Sequence, residues 1–70
     1  MMRIQYDERA NAMFIRFRAG KSFRTEELAG GLAVDYNKAG KVVAVEVLNA
    51  KKYLSNGGVK VPERILKLAQ

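Results

Sequence analysis

The chain contains no cysteine, no histidine and no tryptophan, and these absences exclude the usual supports of a small domain. Without cysteine there is no disulfide, and without cysteine or histidine the common structural zinc sites lack their ligands. A chain of 70 residues buries only about 60% of the surface that its unfolded form exposes, so its stability is marginal. Because the other supports are absent, we expect self-association and predict a homodimer.

The same absences narrow the catalytic chemistry. Nucleophilic mechanisms of the triad type use histidine or cysteine, and the seven acidic residues show no calcium-loop spacing. If Tyr36 pairs with Lys41, Asp35 and Glu46 are about four residues, or ~13 Å, apart along their strands. Glycosidase carboxylate pairs are about 5 to 9.5 Å apart. We therefore expect a protein that is not an enzyme, with no catalytic residue, cofactor or metal.

Long apolar runs are absent too. No stretch approaches the ~20 apolar residues that cross a bilayer, and the first residues do not resemble a signal peptide. The sequence therefore predicts a cytoplasmic protein with no membrane partner. Thirteen Lys and Arg against seven Asp and Glu give a net charge of +6. This excess favours either cations spread over the whole surface or a face that binds nucleic acid.

Short segments of alternating polar and apolar residues are what the chain does have. Five of them indicate β-strands, and they span residues 3–6, 12–18, 22–28, 32–36 and 41–48. Residues 37–40 begin with Asn37 and end with Gly40, which is typical of a hairpin turn. The predicted fold class is α+β: an antiparallel five-stranded β-meander with one or two short C-terminal helices. Residues 1–55 form the single predicted domain, and residues 56–70 form a tail.

Turn and cap residues divide the strands from the helices. Asp7 is expected to cap a single turn, and Asn11 to end that turn in the left-handed conformation. Asn49 is the predicted N-cap of a helix over residues 50–54, and Pro62 begins a second helix. This second helix packs either on the domain or on a partner, and its candidate partner-binding residues are Ile65, Leu66 and Leu68.

The pairing of Tyr36 with Lys41 divides the last two strands into two faces. The predicted core face carries Leu32, Val34, Tyr36, Val43, Val45 and Val47. The second face carries Gly31, Ala33, Asp35, Val42, Ala44, Glu46 and Leu48. Since the second face is flat and partly apolar, something is expected to cover it, either the C-terminal helix or a second copy. We favour the second copy and predict a dimer interface at Val42, Ala44 and Leu48.

A nucleic-acid interface is the alternative. Phe14, Arg16 and Arg18 fall on one face of a strand, where they place an aromatic ring beside two cations. Together with Lys51, Lys52 and Lys60 they are the candidate nucleic-acid contacts. The competing interpretation is that Phe14 packs within the sheet and that the arginine stems cover apolar area. Binding that weakens steeply with salt would favour nucleic acid over an apolar protein interface.

Several segments together resemble a known family. They are Tyr6-Asp7, residues 11–17, Glu26-Glu27, residues 31–37 and residues 40–50. The pattern resembles the small prokaryotic domain-of-unknown-function family 2283 over residues 4–54. Its most specific part is the second hairpin, with Asp35-Tyr36 before the turn and Glu46 near the end of the last strand. Family members are often encoded beside small toxin-like RNases, so the resemblance implies an antitoxin-like role in which the domain binds a partner protein.

Overall fold

The computed structural model describes residues 2–55, 58–59 and 61–69. One antiparallel sheet contains the strands β1 (Arg3–Asp7), β2 (Ala12–Arg16), β3 (Arg24–Leu28), β4 (Leu32–Tyr36) and β5 (Val42–Leu48). A 3-10 helix (Ala50–Tyr53) follows, and then a small ribbon of β6 (Leu54–Ser55) and β7 (Gly58–Val59). The chain continues into the helix α1 (Glu63–Leu66) and a 3-10 turn (Lys67–Ala69). The α+β class and the five antiparallel strands are confirmed.

The strand order differs from the predicted meander. In space the order is β1-β2-β5-β4-β3, so β5 lies between β2 and β4, and β2 does not pair with β3. The last four strands therefore have a Greek-key order when read from the C-terminal end. Five of the seven residues of β5 are buried, which suits a strand that has neighbours on both sides. The two edge strands, β1 and β3, carry most of the exposed positions.

The turn between β1 and β2 has a second role as a cap. Asp7 Oδ1 accepts hydrogen bonds from the backbone N–H groups of Arg9 (3.0 Å) and Ala10 (3.2 Å), and Asn11 is left-handed at φ 50°, as predicted. Asn11 also caps the distant 3-10 helix, because its Oδ1 accepts from the Lys51 N–H at 2.9 Å. Asn49 makes no side-chain cap and is itself left-handed at φ 56°. Asn49 thus lies at the predicted N-cap position, but the capping hydrogen bond comes from the Asn11 side chain instead.

The β4–β5 turn is the predicted one, but its register differs. The Asn37 N–H donates to the Lys41 carbonyl at 2.9 Å, and Asn37 Oδ1 accepts from the Lys41 N–H at 2.9 Å. Tyr36 consequently pairs with Val42 rather than with Lys41, and the register shifts between Asp35 and Tyr36. Such a bulge changes which side chains face each side of a sheet.

The core lies between one face of the sheet and the chain that follows β5. Met13, Ile15, Val34, Val45 and Val47 on the sheet are fully buried. Ala50 of the first 3-10 helix and Ile65 of α1 are fully buried in the same cluster. Because the 3-10 helix and α1 cover this face, the opposite face of the sheet is the surface on which β1 to β5 present their remaining side chains.

Candidate interaction surface

The opposite face of the sheet, which we call the open face, mixes charged and small residues. It is formed by the residues that alternate with the core positions: Arg3, Gln5, Ala12, Phe14, Arg16, Thr25, Glu27, Ala33, Asp35, Ala44, Glu46 and Leu48. Leu48 is 48% exposed, which is unusual for a leucine on the central strand of a sheet.

Two rows of residues cross the open face from β1 to β3. One row is Arg3, Arg16, Ala44, Asp35 and Thr25, and the other is Gln5, Phe14, Glu46, Ala33 and Glu27. Both cations, Arg3 and Arg16, belong to the first row and lie on β1 and β2, whereas Asp35 and Glu27 lie on β4 and β3 and Glu46 lies on the central strand β5. Neighbouring strands are about 4.8 Å apart, so the two signs of charge occupy opposite halves of the face.

Arg16 is held in place at the basic half. Its Nη1 donates to the carbonyl oxygens of Arg18 and Gly20, both at 3.1 Å. Its Cζ lies 6.0 Å from the centre of the Phe14 ring, within the range of a cation–π contact. A guanidinium fixed by several contacts loses little conformational entropy when it meets a carboxylate.

In the acidic half a hydrogen bond fixes the Asp35 carboxylate, and in the centre small residues keep the face flat. Asp35 Oδ1 accepts a hydrogen bond from Thr25 Oγ1, which fixes the carboxylate beside the edge strand. Between Arg16 and Asp35 lies Ala44, which is 1% exposed. Further along, a Cβ at Gly31 would lie 3.4 Å from the Leu48 Cβ, so the small residue there keeps the face flat.

The separation of Asp35 and Glu46 is smaller than the sequence predicted. Asp35 lies opposite Ala44, and Glu46 lies opposite Ala33. The two acids are therefore diagonal neighbours, with about 7–8 Å between their Cα atoms. The distance argument against a carboxylate pair is wrong. Glu46 is exposed on the open face, where it is accessible to another molecule.

The comparison with known families covers the whole of this surface. The family model described as "Protein of unknown function (DUF2283)" matches residues 3–51. The chain belongs to this family. The predicted resemblance is thereby confirmed, and the matched range contains all five strands of the DUF2283 sheet and therefore the whole open face. No curated protein and no solved structure matches the chain.

Membrane-spanning length is a separate property of the DUF2283 chain. Among the helices in the described residues, none has both the length and the apolar character that crossing a bilayer requires.

The predicted dimer residues of the DUF2283 chain divide between the two faces. Ala44 and Leu48 lie on the open face, as their alternation with Val45 and Val47 requires. Val42 lies in the core cluster and is 8% exposed, so its placement on the second face is wrong. The bulge near Tyr36 is the physical reason, because it turns Val42 towards the core.

The predicted partner-binding residues of α1 and the 3-10 turn that follows it are also divided. Ile65 is fully buried in the core, and Leu68 packs against the same cluster. Leu66 is 38% exposed. Ile65 therefore makes an intramolecular contact. It could contact a partner only if α1 detached from the sheet.

The predicted nucleic-acid residues do not form one surface. Phe14 and Arg16 are half-buried on the open face, and Arg18 follows the end of β2. Lys51 and Lys52 are exposed at the other end of β5, about 20 Å away by strand length. Lys60 lies outside the described residues. The DUF2283 sheet therefore separates two groups of cations that looked equivalent in the sequence.

Four further cations, Lys21, Arg24, Lys38 and Lys41, were not among the predicted contacts. They lie with Arg16 and Arg18 in residues 16–25 and 36–45, which contain no Asp or Glu. The two segments meet at one end of the sheet, where the Phe23 N–H donates to the Tyr36 carbonyl at 2.7 Å. Two acid-free runs of ten residues were the available signal, but only the strand order shows that they are neighbours.

Proposed function

We propose that this DUF2283 chain is a protein-interaction module that forms a homodimer through its open face. The observation that carries the proposal is the division of the face into a basic half on β1 and β2 and an acidic half on β4 and β3, with β5 between them. A surface with this pattern is complementary to a second copy of itself.

The pattern also selects the symmetry axis. A two-fold axis parallel to β5 and lying between two stacked sheets places β2 of one copy over β4 of the other. Arg16 then faces Asp35 of the second copy, Arg3 faces Thr25, and Ala44 faces Ala44. An axis perpendicular to the strands would instead place β2 over β2, which brings like charges together.

The shapes of the facing side chains agree with this arrangement. In the second row the large ring of Phe14 faces the small Ala33 of the other copy, and stacked sheets about 10 Å apart need such large–small alternation. Covering Leu48, which is 48% exposed, also adds apolar burial to a chain that has little core of its own. Dimerisation through this face therefore supplies the stability that the composition lacks.

A charge exchange between Arg16 and Asp35 tests the proposal. In an Arg16→Asp homodimer two carboxylates face each other, and in an Asp35→Arg homodimer two guanidiniums do, so we expect each variant alone to dimerise at least about tenfold more weakly. A mixture of the two variants restores both opposite-charge contacts, because each position 16 again faces a position 35 of opposite charge. Native mass spectrometry of the mixture should show the heterodimer as the main dimeric species.

A control separates charge from the loss of a hydrogen bond. Thr25→Val removes the hydroxyl that bonds to Asp35 and faces Arg3 but leaves every charge, and we expect its dimer to weaken much less than that of either charge variant. Circular dichroism should show that all variants remain folded. A wild-type monomer would contradict the homodimer itself. Single variants that dimerise as well as the wild type would exclude the open face as the interface and favour pairing through the edge strands.

The antitoxin-like role is a narrower form of the same proposal, and it is supported by the family resemblance. The partner would be a small toxin-like protein that binds the homodimer. Since Ile65 is buried, the contact of α1 with such a partner would depend on Leu66. Leu66→Ala should then weaken partner capture in a pull-down with the toxin-like protein, while leaving the dimer intact.

A further inference from the structure

The connection between β2 and β3 runs past the β4–β5 turn. The Phe17 N–H donates to the Val43 carbonyl at 2.8 Å at the start of this connection, and the Phe23 N–H donates to the Tyr36 carbonyl at 2.7 Å at its end. The turn itself is closed by the hydrogen bonds between Asn37 and Lys41. Backbone hydrogen bonds on both segments therefore hold two loops side by side at one end of the sheet.

These loops form a surface that we call the basic end. It carries Arg18, Lys21, Arg24, Lys38 and Lys41, and neither loop contributes an acid. Arg24 is partly neutralised by Glu26 at 3.1 Å, and its Cζ stacks 4.2 Å from the Tyr36 ring centre. Lys21, Lys38 and Lys41 are exposed. Several lysines close together on ordered loops create a local positive potential that attracts polyanions.

An exposed aromatic ring lies among the lysines. Phe23 is 62% exposed, more than any other large apolar side chain in the described part of the chain. Lys38 Nζ lies 5.8 Å from its ring centre, and a shallow hollow beside the ring is lined by Lys21, Ser22, Phe23, Asn37 and Lys38. A phenylalanine in water loses hydrophobic stabilisation, and its position here is explained if a flat group stacks on it.

We propose that the basic end binds single-stranded nucleic acid, with a base stacked on Phe23 and the adjoining phosphates at Lys21, Lys38 and Lys41. Unpaired bases expose the flat surface that stacking needs, whereas a duplex hides it. A lipid surface is less suited, because anchoring in the headgroup layer needs more apolar area than one ring flanked by Ser22 and Asn37. The site uses loops and is distinct from the two rows of the open face.

Two pairs of lysines test the location of the site. Lys38→Gln with Lys41→Gln removes two charges from the basic end, and Lys51→Gln with Lys52→Gln removes two from the opposite end of β5. Fluorescence anisotropy with a dye-labelled oligo(dT) strand measures the affinity of each variant. We expect the first pair to lose about tenfold or more at low salt and to show a shallower salt dependence, and the second pair to lose less than about twofold.

The ring is tested separately from the charges. Phe23→Ala should weaken oligo(dT) binding about tenfold without changing the slope of affinity against salt, because stacking displaces no counterion. Leu66→Ala removes another exposed apolar side chain, which lies on α1 rather than on either loop, and should leave the affinity unchanged. Circular dichroism should show that all these surface variants are folded.

Four results would each contradict the proposal. Equal losses in the two lysine pairs would mean that only net charge matters, and absent binding at low salt would exclude the site. A duplex of the same length that binds as tightly as oligo(dT) would exclude stacking on Phe23. Stronger binding to phosphatidylserine vesicles than to oligo(dT) would assign the basic end to membranes instead.

Discussion

Asn11 is the residue on which most local structure depends. It takes a left-handed backbone at φ 50°, its carbonyl accepts from the Ala50 N–H at 3.0 Å, and its side chain accepts from the Lys51 N–H at 2.9 Å. One residue thus ends the first hairpin turn and begins the 3-10 helix that follows β5. The helix start is therefore coupled to a turn that lies far away in the sequence.

The two contributions of Asn11 can be measured separately. Asn11→Gly keeps the backbone conformation and loses only the side-chain hydrogen bond, which should lower the free energy of unfolding by about 1 kcal/mol. Asn11→Ala adds the cost of a left-handed alanine, for a total of about 2 kcal/mol. Urea unfolding followed by circular dichroism gives both values. Equal losses in the two variants would show that the backbone conformation contributes nothing.

At the scale of elements, α1 is a short helix whose stability comes from one buried side chain. Ile65 is fully buried, and the adjacent Leu66 is 38% exposed. An isolated helix of this length is not stable in water, so the contact of Ile65 with the sheet must hold it. The consequence is that α1 belongs to the core as much as the strands do.

Neighbouring substitutions in α1 test this conclusion. Ile65→Ala should lower the free energy of unfolding by about 2–5 kcal/mol, a large part of the stability of so small a domain. Leu66→Ala should change it by less than about 0.5 kcal/mol. Thermal unfolding of both variants provides the measurement. If Ile65→Ala melts at the wild-type temperature, α1 does not stabilise the sheet.

Periodicity predicted the elements of this fold better than their arrangement. Alternation places Ala44 and Leu48 on one face and Val45 and Val47 on the other, because the period of a strand does not depend on its neighbours. Val42 was assigned to the wrong face, since the bulge depends on hydrogen bonds of the turn that closes at Asn37 and Lys41. Strand order depends on which edges meet in space, and the sequence pattern of a single strand carries no such information.

The same reasoning explains what was missed in the candidate surfaces. Arg16 and Asp35 occupy one row only because β5 lies between β2 and β4. Lys21 and Lys38 become neighbours only because the β2–β3 connection passes the β4–β5 turn. Each residue type was visible in the sequence, but the pairing of one with another required the topology.

At the scale of the whole molecule, the dimer we propose contains one unfavourable contact. Glu46 lies on β5 near the two-fold axis, so the two copies bring their Glu46 side chains towards each other. Like charges about 8 Å apart in water repel by roughly 0.5 kcal/mol. The two Arg16–Asp35 contacts offset this repulsion. A substitution that removes the Glu46 charge should therefore make the interface more stable.

Removal of this charge should strengthen the dimer. We expect Glu46→Gln to lower the dimer Kd about two- to threefold at low salt, with the gain lost at about 1 M salt, where the Debye length is ~3 Å. Glu8→Gln, which removes one charge from the exposed β1–β2 turn, is the matched control and should have no effect. Sedimentation equilibrium measures both. A gain of the same size in Glu8→Gln would indicate an effect of net charge alone.

The central position of β5 has a consequence for synthesis on the ribosome. β1 and β2 can form a hairpin as they emerge, and β3 and β4 can form another, but neither hairpin contacts the other except through β5. A two-stranded hairpin is marginal in water on its own. The sheet of the nascent chain therefore cannot be completed before Leu48, the last residue of β5, has left the exit tunnel.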